Sequence, residues 1–157
     1  MNTNIGITNE NRQAVATELI KILADEYVLF TKTKKAHWNV EGADFYDKHK
    51  LFESQFEQID EFIDDTAERI RSLGHYAPAT LKEFLELTSL TEQSRQDNNS
   101  QGYIKELLAD HEIIIHHLRE RINLFDDKYS DVGSSDFITG LLSQHEKMAW
   151  FLRAHLK

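Results

Sequence analysis

Apolar residues recur every three or four positions along most of this chain, which is the spacing of one face of an α-helix. In the second helical stretch, for example, Phe52, Phe56, Ile59, Ile63 and Ile70 follow this spacing. No stretch shows the strict alternation of a half-buried strand. The pattern predicts four long helices and one short helix, at about 9–39, 44–73, 80–87, 100–125 and 134–156.

Turn and capping residues mark the ends of these stretches. Thr8 or Asn9 can cap the first helix, and Gly74 ends the second. Thr80 and Glu83 have the spacing of a capping box for the short helix. Four long helices with a long connection between the second and third predict an all-α, four-helix bundle, and a single long crossover is the ferritin-like topology. We expect one domain, 1–157, with the short helix inside the crossover.

The composition of the chain excludes several kinds of site and segment. The chain has no cysteine, which excludes disulfides, thiolate metal sites and thiol nucleophiles. The start, MNTNIGITNE, has neither a basic segment nor an apolar segment of a secretory signal, and no apolar run approaches membrane-spanning length. We therefore expect a cytoplasmic protein without a membrane partner.

The candidate metal ligands lie between residues 37 and 68. Imidazole nitrogens and carboxylate oxygens together suit iron and its first-row neighbours. At 100° per residue, His49, Glu53, Asp64 and Glu68 fall at about 0°, 40°, 60° and 100° on one helical face. His37 precedes this helix in the sequence HWN.

These ligands cannot meet along a single helix. His49 and Asp64 are separated by roughly 22 Å at 1.5 Å per residue. Either each end finds partners within its own subunit, or a second copy of the helix lies antiparallel across a two-fold axis. We favour the shared site, in which His49 and Glu53 of one copy meet Asp64 and Glu68 of the other.

The other histidines have a simpler interpretation. His111 and His145 lie within apolar stripes, so we expect packing roles. His116 and His117 are adjacent and point about 100° apart, which is poor geometry for one metal ion. No histidine has a glutamate three residues before it, so the usual ligands of a di-iron centre inside one bundle are missing.

The same segment resembles a known family. HWNVEGADFYDKHKLFE followed by DDTAERI is similar to the signature of the Dps proteins, or mini-ferritins, and HEKMAWFLRAHL at 145–156 is similar to their last helix. The resemblance implies that the metal ligands of an inter-subunit, iron-oxidising centre are His37, His49, Glu53, Asp64 and Glu68. Glu57 also lies on this helical face, at about 80°. Only the family pattern excludes it from the predicted metal ligands.

The resemblance also implies an activity. Dps proteins bind two ferrous ions per site, oxidise them preferably with hydrogen peroxide rather than dioxygen, and store ferric mineral in a hollow dodecamer, which protects against oxidative stress. Zinc is a possible substitute for iron. Trp38 is expected to pack at the helix end and could also supply an electron, whereas Trp150 is expected to pack only.

Acidic residues precede the last helix, and in Dps shells the matching region lines negatively charged pores. The resemblance makes Asp127, Asp131 and Asp136 candidate pore residues. A ring of carboxylates would concentrate cations, although aspartate is also common in turns and in the first turn of a helix.

Two other functions compete with iron oxidation. Many Dps proteins condense DNA with a basic tail, but residues 1–11 contain no lysine or arginine, and the net charge is −9. We therefore expect no strong DNA binding. A shell protein that has lost the chemistry is the second alternative, because the fold alone does not specify an activity.

Overall fold

A computed structural model describes residues 3–92 and 95–157 and confirms the predicted all-α fold. None of its helices combines the length and apolar composition needed to cross a membrane, as far as the described residues go. The helices are α1 (Asn9–Asn39), α2 (Phe45–Ser72), α3 (Leu81–Leu87), α4 (Ser100–Asn123) and α5 (Val132–Ala154), with a π-helical segment at Leu124–Lys128.

The four long helices form the predicted ferritin-like bundle. The most extensive contacts pair α1 with α2 and α4 with α5. The long crossover between α2 and α4 carries α3, which packs on α1. There the ring of Phe84 stacks on Tyr27 with centroids 4.5 Å apart. All four long helices contribute to one apolar core, as the fully buried side chains of Leu19, Phe52, Leu107 and Leu152 illustrate.

Local hydrogen bonds explain where several helices begin and end. The Asn11 N–H donates to the Thr8 hydroxyl (3.2 Å) and caps α1. Beyond α2 the chain turns at Gly74, whose φ of +88° favours glycine. At the start of α3, Thr80 and Glu83 form both hydrogen bonds of the capping box.

The turn between α4 and α5 is shorter than the sequence predicted. After α4 the chain continues as the π-helical segment, and α5 begins at Val132, before the expected start. The Asp131 carboxylate causes this early start, because it accepts a hydrogen bond from the Ser134 N–H (2.9 Å) and caps the helix. It also accepts one from Arg69 of α2 (3.1 Å), which ties the start of α5 to the bundle.

Replacing Asp131 with alanine should therefore lower the free energy of unfolding by about 1–3 kcal/mol. Helix α5 would lose its cap, and Arg69 would lose its carboxylate partner. Urea denaturation at a fixed subunit concentration measures the loss. The matched control is Asp127→Ala, an exposed carboxylate before the same helix, which should change stability by less than about 0.5 kcal/mol. An equal loss in both variants would contradict the capping role.

Candidate metal centre

His37, in the last turn of α1, and His49, near the start of α2, face each other across the turn that joins these helices. Their rings stack with centroids 3.8 Å apart and planes 20° apart. Nδ1 of each histidine lies 2.8 Å from the backbone oxygen of the other. Because a carbonyl oxygen can only accept, both Nδ1 atoms carry hydrogen. In the neutral rings both Nε2 lone pairs are then available to a metal ion.

Aromatic side chains surround this histidine pair. The edge of Phe56 meets the His37 ring with centroids 5.1 Å apart, and Phe45 lies 5.2 Å from His49. His37 is buried, whereas His49 is half-buried. The rings are thus held by packing as well as by hydrogen bonds. The structure brings together the two histidines that the sequence analysis selected.

Glu53 lies one helical turn after His49. Its carboxylate pairs with the Lys50 ammonium at 2.6 Å. That hydrogen bond and the charge of Lys50 hold the pKa of Glu53 below its usual value. The carboxylate is therefore ionised at neutral pH, on the same helix as His49.

Asp64 and Glu68 are exposed near the other end of α2. Because α2 is one unbroken helix, Asp64 lies roughly 22 Å from His49 along its axis. A single subunit, within residues 3–92 and 95–157, has no group of three or more histidine, aspartate or glutamate side chains arranged to hold a metal ion. The five candidate ligands thus form two separate half-sets in each subunit.

The packing roles expected for Trp38 and Trp150 are wrong within the subunit. Trp38, next to His37, is 67% exposed, and Trp150 is 59% exposed. Among the described residues, no other helix of the chain covers these two side chains. The Lys34 ammonium lies 5.8 Å from the centroid of the Trp38 ring.

The three candidate pore residues differ in accessibility. Asp127 and Asp136 are exposed, as a channel lining requires. Asp131 is 2% exposed, and its two carboxylate oxygens accept hydrogen bonds from Arg69 and Ser134. Asp131 is therefore buried and paired with Arg69 inside the subunit, which disfavours a place in a pore lining; its pore role stays a prediction that the structure does not support.

The core contains an ionisable group that the sequence analysis missed. His111 and His145 lie in the core, as predicted, with no exposed surface. Glu26 is also fully buried and lies 2.7 Å from His145. A sequence signal for this burial existed, because Glu26 follows Ile22 and Leu23 at the spacing of the apolar stripe of α1.

Comparisons with known proteins agree with this architecture. A family model described as a ferritin-like domain matches residues 16–157. An uncharacterized low temperature-induced protein of Nostoc is 42% identical over 98% of this chain and 86% of its own length. The DNA protection during starvation protein of Helicobacter pylori is 36% identical over 88% of this chain and 96% of its own.

Solved structures show the same similarity. DpsC from Streptomyces coelicolor superposes with a TM-score of 0.96 at 28% identity, covering 100% of this chain and 91% of that one. A Dps protein from Vibrio cholerae, described as a member of a broad superfamily of ferritin-like diiron-carboxylate proteins, superposes with a TM-score of 0.92 at 26% identity, covering 100% and 98%.

Proposed function

Because this chain belongs to the Dps family of ferritin-like proteins, we propose that it oxidises ferrous iron at sites shared by two subunits and stores the ferric product in a hollow shell of identical subunits. Membership of a ferritin-like, diiron-carboxylate superfamily supports iron binding and storage in general. Hydrogen peroxide is the oxidant we propose first, with dioxygen as the alternative.

The observation that carries this proposal is the separation of two complementary half-sets by the length of α2. The Nε2 atoms of His37 and His49 and the Glu53 carboxylate lie where α1 ends and α2 begins, and Asp64 and Glu68 lie towards the end of α2. A two-fold axis across α2 would bring the histidine half of one subunit against the acidic half of its partner. Such an interface is self-complementary and creates two equal sites per dimer.

The ligand set suits the oxidation of iron as a substrate. Imidazole nitrogens and carboxylate oxygens bind first-row redox metals, and the negative charge of Glu53, Asp64 and Glu68 stabilises the ferric state. In the proposed reaction each of two ferrous ions gives one electron to hydrogen peroxide. The O–O bond breaks, two protons are taken up and two water molecules form. Because both electrons arrive at the same site, no hydroxyl radical is released.

Entry of iron would use the exposed carboxylates before α5 and in its first turns. Asp127 and Asp136 are accessible, and several copies around a shell axis would attract cations. Asp131 would act indirectly, by fixing the start of the helix that carries Asp136.

Anaerobic titration of the assembled protein with ferrous iron tests the activity. We expect saturation at about two ions per subunit, since each dimer would hold two sites, and one peroxide consumed for every two ions oxidised. Zinc takes the same nitrogen and oxygen ligands but has no redox chemistry, so preloaded zinc should block the reaction. A spin-trap signal for hydroxyl radical as strong as that of free iron would contradict the proposal.

DNA binding is the second candidate, because relatives are named DNA protection during starvation proteins. The net charge of −9 opposes it, since binding to phosphates requires clustered cations. We therefore propose iron oxidation and storage without strong affinity for DNA. The iron titration also distinguishes this function from that of a shell protein without ferroxidase activity.

A further inference from the structure

Three ionisable side chains meet in the middle of the bundle, away from the proposed iron site. They are Glu26 of α1, His111 of α4 and His145 of α5, and none has any exposed surface. Glu26 lies about 16 Å along α1 from His37. A buried ionisable group costs stability unless it is fully paired, and apolar residues of similar volume are often at least as stable. This cluster therefore calls for a physical explanation.

The three groups form one chain of hydrogen bonds. His145 Nε2 lies 2.7 Å from Glu26 Oε1, and His145 Nδ1 faces His111 Nδ1 at 2.9 Å. One of these facing nitrogens must donate and the other accept, so there is room for one proton between the rings. A second proton there would set two N–H groups head to head and break the hydrogen bond.

Among residues 3–92 and 95–157, no carboxylate forms a hydrogen bond with His111, whose only partner is His145. Glu26 is the charged group that α1 turns towards the histidines, α5 contributes His145 itself, and α2 contributes the apolar ring of Phe62, 5.6 Å from His145. His111 Nε2 and Glu26 Oε2 are buried and have no hydrogen-bond partner. Burial, and to a lesser extent the charge of His145, hold the pKa of His111 well below its ordinary value.

We propose that Glu26, His145 and His111 form an acid-sensitive proton latch: a single proton between the imidazoles holds α4 and α5 together, and a second proton drives them apart and opens the bundle from its centre. This inference does not depend on the proposed iron chemistry. Because three of the four long helices contribute to the latch, its opening would loosen the whole subunit rather than one surface loop.

The direction of the pH effect follows from proton uptake. Folded His111 stays neutral, whereas in the unfolded chain it binds a proton below its ordinary pKa of about 6.5. The unfolded state therefore gains protons as the pH falls, and stability is lost below about 6.5. This one group should raise the unfolding equilibrium constant by up to roughly tenfold for each pH unit.

Urea unfolding of the assembled protein between pH 7.5 and 5, at one subunit concentration, tests the latch. His111→Leu should weaken the pH dependence of the unfolding equilibrium constant by up to about tenfold per pH unit. The triple variant Glu26→Leu/His111→Leu/His145→Leu, which has no charge left at this point, should flatten it as well. His75→Gln is the matched control: burial also lowers the pKa of His75, but less than that of His111, so this variant should keep most of the pH dependence.

Hydrogen exchange of the unmodified protein provides a second measurement that needs no variant. After correction for the intrinsic effect of pH, peptides around His111 and His145 should lose protection at pH 5 before the exposed face of α2 does. Wild-type pH dependence in both latch variants would overturn the proposal. So would exchange that begins on α2 while the centres of α4 and α5 stay protected.

Discussion

Assemblies that mix subunits lacking His37 with subunits lacking Asp64 should recover about one quarter of the iron-oxidising sites, although each variant alone is inactive. Loss of either ligand should reduce the ferrous oxidation rate by more than the roughly 10–100-fold that follows loss of an outer-shell partner. In a mixed dimer one site combines the intact His37 of one chain with the intact Asp64 of the other. The second site lacks both ligands.

Peroxide-dependent iron oxidation by His37→Ala and Asp64→Ala chains, coexpressed with different tags and purified through both, measures this recovery. The matched control mixes His37→Ala with His49→Ala, whose lesions lie in the same half-set. That mixture should stay inactive. Each site takes both histidines from one subunit, and every subunit in the mixture lacks one of them. Well-folded His37→Ala and Asp64→Ala mixtures that remain inactive would contradict a shared site.

Replacing Lys32 with methionine should lower the free energy of unfolding by about 3–5 kcal/mol. Lys32 is 7% exposed, and its ammonium lies 2.6 Å from Asp110 and 3.4 Å from Glu106 of α4. It also donates to the backbone oxygen of Thr91 in the crossover (2.8 Å). Burial raises the pKa of Asp110 even with the lysine in place. Without Lys32, that buried carboxylate must lose its charge or open the core to water.

Urea denaturation at pH 7 compares this variant with Lys82→Met, whose exposed ion pair with Glu86 spans 3.8 Å. Surface pairs of this kind contribute little, so the control should differ from wild type by less than about 0.5 kcal/mol. The double variant Lys32→Met/Asp110→Leu should regain most of the lost stability, because no unpaired charge remains at Asp110. A Lys32→Met protein as stable as the control would contradict this account.

The four-helix bundle could be predicted because the signals that define its helices lie within each helix and its flanking residues. Apolar spacing fixes which face of each helix is buried, and Gly74 and the Thr80–Glu83 capping box end or begin helices through their own backbone and side chains. The start of α5 was placed two residues late, although its cap, from Asp131 to the Ser134 N–H, is local. The hydrogen bond that Asp131 also accepts from Arg69 of α2 could not be predicted, because a contact between residues so far apart in sequence leaves no periodic signal.

The candidate site shows the same limit. Spacing on α2 placed Glu53, Asp64 and Glu68 on one face, and the unbroken helix keeps the two ends apart. The reciprocal hydrogen bonds of His37 and His49 were beyond sequence analysis, because they require the exact turn between two helices. The exposure of Trp38 was also missed, because a tryptophan at a helix end is usually a buried anchor.

The two hydrogen bonds that link the His37 and His49 rings to each other's backbone would also affect the free-energy cost of binding iron. Each imidazole is already confined to one rotamer by the other's carbonyl oxygen, so little side-chain entropy is left to lose when an ion arrives. To bind a metal ion, Glu53 would have to give up its ion pair with the Lys50 ammonium. In the proposed site the two histidines would therefore be preorganised, and the rearrangement on binding iron would fall on Glu53 and Lys50.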